Sequence, residues 1–280
     1  MKRMLQHKGL LLGSIMVGTV FIVVLFGPVL TSRDPYQQVL PRALQPPDSS
    51  LPFGADSLGR DLLARVIYGC RYTVSVGLVA VLVGASVGTA IGVWAGYSGG
   101  LVDQLVGRVV DGMLAFPGLL LALAIVAMLG GGLVNLAIAM SIGSIPRFAR
   151  LARGTTLSVK NEEYIEAVRA SGATHLWITL RHILPNITSP LTVQASYSMA
   201  TAILTASGLS YLGLGAEPPL PEWGLMLSSA RTYMRTAPHL SLFPGLAIVF
   251  VIIGLNVLGD ALRDITDPRI RRSVGTLTRN

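Results

Sequence analysis

Apolar residues run through this chain in long stretches, and charged residues are confined to the gaps between them. No Asp, Glu, Lys or Arg occurs between Arg71 and Asp103, between Asp111 and Arg147, between Arg181 and Glu217, or between Arg235 and Asp260. A membrane-spanning helix needs roughly 20 mostly apolar residues, because each adds about 1.5 Å to a hydrocarbon layer about 30 Å thick. On that measure the pattern predicts six spans, near residues 10–30, 73–97, 106–129, 133–151, 187–209 and 243–262. Gly130-Gly131-Gly132 divides the third from the fourth as a tight reversal, since one helix over the whole run would overrun the bilayer. Pro117 predicts a bend in the third span.

Composition agrees with an all-α polytopic membrane protein. Of the 280 residues, 51% are hydrophobic and 13% charged, and the mean hydropathy is +0.61, whereas a soluble domain carries about a quarter charged residues. The first apolar run follows Lys2, Arg3 and Lys8 as a signal peptide would, but it continues to Leu30 without a small-residue cleavage site and is expected to stay as an anchor. A single cysteine, Cys70, excludes an internal disulfide.

Charge distribution sets the expected orientation. With six spans and both termini on one side, 15 of the 22 Lys and Arg residues fall on that side and 7 on the other. The positive-inside rule then puts both termini and the polar loop Arg147–Pro185 in the cytoplasm. The net charge of +8 follows from this topology. A nucleic-acid role would need a soluble basic face with base-stacking aromatics, which the sequence lacks. The expected organisation is a cytoplasmic tail and anchor at 1–30, an external segment at 31–70, a core domain of five spans at 71–265 with its loop at 152–186, and a cytoplasmic tail at 266–280. In the external segment, Asp61–Tyr68 reads as a short amphipathic stretch before the second span.

The polar loop has the marks of two short helices. Asn161 can cap the first, Glu162 and Glu163 sit where the helix dipole favours negative charge, and Gly172 can end it. The second can begin at Thr174, with Leu176, Leu180 and Leu184 on one face, and end before Pro185. Ala167, Ala170 and Gly172 are small enough for a partner surface to approach the backbone, while Tyr164 and Glu166 supply a contact and a charge. Either this is a docking element or it is a helix-turn-helix with a solvated face; periodicity alone leaves both open.

Other polar positions have competing readings. Gln194, Ser198, Thr201 and Thr205 fall on one face of the fifth span, as either a helix-packing seam or the lining of a wet path. Arg108 with Asp111, and Asp260 with Arg263 and Asp264, suggest interfacial ion pairs. His175 and His182 have no companion ligands at metal spacing, so no metal is expected. Gly154-Thr155-Thr156 lacks the lysine of a nucleotide-binding loop, and no hydrolase motif occurs.

Several stretches carry a family resemblance. Glu166-Ala167-Val168 followed by Gly172 and Leu184-Pro185 resembles the EAA loop of permease subunits of ATP-binding cassette importers, with Val168 where a second Ala is usual and His182 where Ile is. Leu51–Asp61 is similar to the segment after the first span in dipeptide, oligopeptide and nickel permeases. So are Ala115–Gly118, Tyr211–Gly215, Pro221–Gly224, Gly259–Asp264 and Asp267-Pro268-Arg269. Together they resemble the C-type subunit, which implies a type I importer permease in the bacterial cytoplasmic (inner) membrane. The resemblance also implies a loop helix contacting the ATPase through Tyr164, Glu166, Ala167, Ala170, Gly172, Leu184 and Pro185. The implied partners are a B-type permease, two ATPase subunits that bind ATP and Mg, and an external substrate-binding protein. The implied cargo is di- or oligopeptide, with nickel or another small solute as the alternative. Two other classes compete: a secondary transporter, although no carboxylate lies mid-span, and an intramembrane enzyme, although no catalytic pair is visible.

Overall fold

The computed structural model describes residues 8–266, and all regular structure among them is helical apart from one isolated bridge between Ala55 and Asp61. The expected spans are helical except at Phe116 and Pro117 within the third: α1 (Lys8–Leu30), α2 (Leu62–Ser98), α3 (Gly100–Ala115), α4 (Gly118–Leu129), α5 (Leu133–Val159), α8 (Leu184–Tyr211) and α10 (His239–Thr266). Between them lie the short helices α6 (Glu163–Ala170), α7 (His175–Ile178) and α9 (Trp223–Ala230). By length and composition three helices, α1, α2 and α10, can cross a membrane, and a fourth can if α3 and α4 count as one bent span. α5 and α8 are long enough but carry more polar side chains, in keeping with their place against other helices rather than lipid. Lys2, Arg3 and the Asp267-Pro268-Arg269 stretch lie outside the described residues.

α2 is the organising element. Asp61 caps it by accepting from the Ala64 N–H at 2.8 Å, and its 37 residues reach about 55 Å at 1.5 Å per residue. The amphipathic stretch expected before the second span is therefore the first turns of the same helix, a single unbroken cylinder. α2 and α5 form the most extensive helix pair, and glycine makes this possible. Gly84, Gly88, Gly92 and Gly96 recur every four residues, and a Cβ added at Gly88 or Gly92 would lie 2.5 Å from the Ile145 carbonyl or 2.3 Å from that of Ala149. Backbone meets backbone along this seam, as small residues allow in membranes.

The third expected span is broken rather than bent: α3 and α4 meet at 91°. Phe116 is extended, with φ −83° and ψ 135°, as a residue before proline prefers, and Pro117 offers no N–H to continue the helix. The triple glycine reverses the chain as its composition suggests, with φ of 89° at Gly130 and 110° at Gly132. The Gly132 N–H bonds the Gly215 carbonyl at 2.8 Å, fastening the reversal to the segment after α8.

Residues 31–61 form a cap over the start of α2. Asp56 accepts from Arg60 Nε at 2.6 Å and sits 3.4 Å from Arg65 Nε, all three side chains nearly buried, and it also accepts the Leu58 and Arg60 N–H groups. Arg65 donates to the Pro35 carbonyl at 3.0 Å, and Arg33 pairs with Asp61. Asp56→Ala strands two buried guanidinium groups and is expected to cost about 3–5 kcal/mol. A wild-type thermal unfolding midpoint for that variant in detergent would contradict this.

On the same end of the bundle, Glu222 caps α9 by accepting from Gly224 N and Leu225 N at 3.0 and 2.9 Å, and it accepts from Thr73 Oγ1 at 3.1 Å. Burial pushes the carboxyl pKa up, while the two N–H groups pull it down.

Candidate coupling helix and polar cavity

The loop at the opposite, basic end is built on a buried isoleucine face. Ile165 of α6 and Ile178, Ile183 and Ile187 are all fully buried, packed with Val93 and Ala152. The spacing from 178 to 183 is five because residues Thr179–Ile183 form a π-turn. The leucines expected on one face are not this support: Leu176 and Leu180 are 68% and 56% exposed. It also removes the break expected before Pro185. The π-turn feeds directly into α8, whose first turn tolerates the proline because its N–H would lack an intrahelical partner.

α6 starts at Glu163 with Glu162 at the capping position and no side-chain cap. The expected cap Asn161 sits in the preceding turn, its N–H on the Ser158 carbonyl. Thr174 does cap α7, accepting from Trp177 N at 3.3 Å. With Ile165 anchored, Glu166, Ala167 and Ala170 face outward and Tyr164 is half-exposed. Tyr164 accepts from Asn186 Nδ2 at 3.1 Å, which also donates to the His182 carbonyl at 2.7 Å. That bond ties α6 to the first turn of α8 beside Leu184, half-buried, and Pro185, exposed. Gly172 has φ 85°, and an added Cβ would meet nothing within 4 Å. Its backbone conformation by itself favours glycine, and the space beside it is open among the described residues.

Ion pairs join this loop end to the helices. Arg153 binds Asp103 through two bonds of 2.5 and 2.7 Å, and Arg150 pairs with Asp111. Asp111 therefore pairs across helices and not with Arg108, as its sequence spacing suggested. Asp260 likewise takes its bond from Tyr197 at 2.5 Å instead of from the charges near it in sequence. Lys160 donates to the Gly96 carbonyl at 2.7 Å, and Tyr97 meets His175 Nδ1 at 2.8 Å.

The polar face of α8 divides in two. Gln194, half-buried, donates to Ser198 at 2.9 Å, and Ser198 is buried among the helices. Thr201 and Thr205 instead line a cavity of about 260 Å³ together with Gly118, Ser144 and Arg147. Arg147, Arg150 and Arg153, expected in the polar loop, all belong to α5. Sequence reasoning missed the cavity, Ile165 and the glycine seam; the four-residue recurrence of glycine in 84–96 was the one available signal.

The architecture is thus a set of helices long enough for a bilayer around a broken hairpin, with a small helix at one end. The sequence matches two family profiles, "Binding-protein-dependent transport system inner membrane component" over residues 88–272 and "N-terminal TM domain of oligopeptide transport permease C" over residues 1–47. The chain is 43% identical over 271 residues to the dipeptide transport system permease protein of Alkalihalophilus pseudofirmus, covering 96% of this chain and 89% of that one. It is 47% identical over 225 residues to the glutathione transport system permease protein of Pectobacterium atrosepticum, covering 80% and 75%. Its fold is similar to that in inward-facing structures of the MetNI methionine ABC transporter, with a TM-score of 0.58, 19% identity and coverage of 72% of this chain and 96% of that one. The chain belongs to the family of binding-protein-dependent transport system inner membrane components. It is a permease subunit of an ATP-binding cassette importer, a transport component and not an enzyme, and this membership sets aside the secondary-transporter and intramembrane-enzyme alternatives.

Proposed function

We propose that this permease forms, with a B-type permease, the translocation path of a peptide importer driven by two ATPase subunits and fed by an external binding protein. The observation that carries the reading is α6: a helix clamped by Ile165 from beneath, which turns Tyr164, Glu166, Ala167 and Ala170 outward. Such an element transmits force, because its anchor is continuous with α8 through the π-turn. In this reading both termini and α6 lie in the cytoplasm, where basic residues concentrate, and the ATPases hold ATP and Mg. Closure of the ATPases moves α6, and with it α8 and the α2–α5 pair as rigid bodies. Thr201 and Thr205 belong to the path; Gln194 and Ser198 support it from behind.

Peptide as cargo draws support from the relatives, which are named for dipeptide and glutathione transport. The test is purification of the tagged chain from its native membrane. It should bring down a second permease and a nucleotide-binding ATPase, and the importer should accumulate labelled dialanine or glutathione only with ATP. Accumulation of nickel and of neither peptide would replace the cargo.

A further inference from the structure

Three arginines follow one another along α5, and two of them are paired, Arg153 with Asp103 and Arg150 with Asp111. Arg147 has no ion pair and no hydrogen bond among the described residues. It stands 14 positions into α5 from Leu133, about 21 Å along a helix axis, which is within the reach of a hydrocarbon layer about 30 Å thick. An unpaired charge at that depth is costly and is retained where it meets water or a ligand.

Its surroundings favour an anion. The guanidinium lies in the corner where α3 breaks from α4, and Gly118 makes the space: a Cβ there would lie 3.0 Å from Arg147 Nη2. The cavity it lines contains no carboxylate. Ser144 and Thr201 direct their hydroxyl hydrogens to the Met140 and Tyr197 carbonyls, both at 2.9 Å. Among the described residues the guanidinium is therefore the one charged donor group lining this cavity, and its fork matches the two oxygens of a carboxylate. The cavity opens past Thr201 and Leu119, both exposed, onto a face of α4 that none of the described residues covers.

We infer that Arg147 is a carboxylate-binding station in the conduit, holding the terminal carboxylate of a peptide cargo during its passage. This rests on the peptide-importer reading above. The class of ligand follows from that chemistry, since every unmodified linear peptide carries such a group.

Two measurements on the assembled importer test it. In proteoliposomes with saturating binding protein, Arg147→Gln should lower uptake of dialanine and glutathione by about tenfold or more, as expected for loss of a charged hydrogen-bond pair. Arg147→Lys should retain a substantial part of it. Yield of the complex and ATP hydrolysis stimulated by the binding protein should stay near wild type in both. Wild-type uptake by Arg147→Gln would overturn the inference. So would collapse of assembly and ATP hydrolysis together, which would mark a structural pairing with a neighbouring helix.

The second measurement does not depend on cargo. Arg147→Cys in a Cys70→Ala background should react with the sulfonate-bearing methanethiosulfonate reagent MTSES, because the position faces a wet conduit. No reaction would mean that the residue faces lipid or protein, and the inference would fall whatever is transported. If wild type takes up neither peptide while the thiol reacts, the peptide reading and the carboxylate assignment fail together, and only the conduit position stands.

Discussion

Glu166→Lys will leave a permease that inserts, folds and assembles with its partner permease but takes up no substrate. Glu166 is exposed on α6 and makes no hydrogen bond or ion pair among the described residues, so reversing its charge breaks no contact there and costs only its small favourable interaction with the helix dipole. Any loss of transport then reports on what α6 touches in the assembled importer. Like charges set against one another at an interface are strongly unfavourable, and the consequence is expected in uptake and in ATP hydrolysis stimulated by the binding protein. Gly172→Val provides a second route to the same end by another cause. Its φ of 85° disfavours a β-branched residue, so the α6–α7 turn must change shape while the exposed face of α6 keeps its chemistry. Normal uptake and normal coupled hydrolysis in both variants would show that α6 is not the coupling element. A third variant, Ile165→Ala, removes a fully buried anchor at about 2–5 kcal/mol. It should loosen α6 without altering the surface that Glu166 presents.

Gly92→Val is expected to have the larger effect on the protein itself, preventing α2 and α5 from closing. The atom that a Cβ at Gly92 meets is the Ala149 carbonyl oxygen at 2.3 Å, with the Ala152 Cβ at 2.9 Å. Neither is the end of a flexible side chain, so only separation of the helices relieves the contact. Separation propagates, because Gly84, Gly88 and Gly96 hold the same seam over about three turns. Overpacking of a single site costs about 1–3 kcal/mol where neighbours can shift, and total stability is about 5–15 kcal/mol, so a seam that must part along its length consumes most of the margin. The measurement is the yield of monodisperse protein extracted in mild detergent. Gly112→Ala is the control, since an added Cβ there meets nothing within 4 Å; equal yields from the two variants would refute the argument.

Much of the helix inventory was legible because hydrocarbon imposes a simple rule. An uncharged run of sufficient length has few alternatives to a helix, and glycine or proline inside it marks a turn or a break. The motif around Glu166 was legible for a similar reason, as a polar interruption with capping and terminating residues in order. What failed depended on contacts across the chain. A regular period places Leu176, Leu180 and Leu184 on one face of the second loop helix, whereas one π-turn at Thr179–Ile183 resets the phase and turns the isoleucines inward, and no local signal announces such a turn. Arg108 and Asp111 were matched by spacing, whereas Asp111 finds Arg150, a residue 39 positions away that only helix packing brings near.

The sequence by itself therefore determined that this protein lives in a bilayer, which segments are helical, where the chain reverses at Gly130–Gly132 and which loop carries the family motif. Those properties follow from local chemistry: transfer of apolar side chains from water, and the backbone limits of glycine and proline. Only the tertiary structure decided that Ile165 and not the leucine row is the buried support of α6, that four glycines join α2 to α5, and that Thr201, Thr205 and Arg147 share one cavity. Each of these depends on which faces of distant helices meet. That is settled by the shape of the assembled bundle, which no stretch of sequence contains on its own.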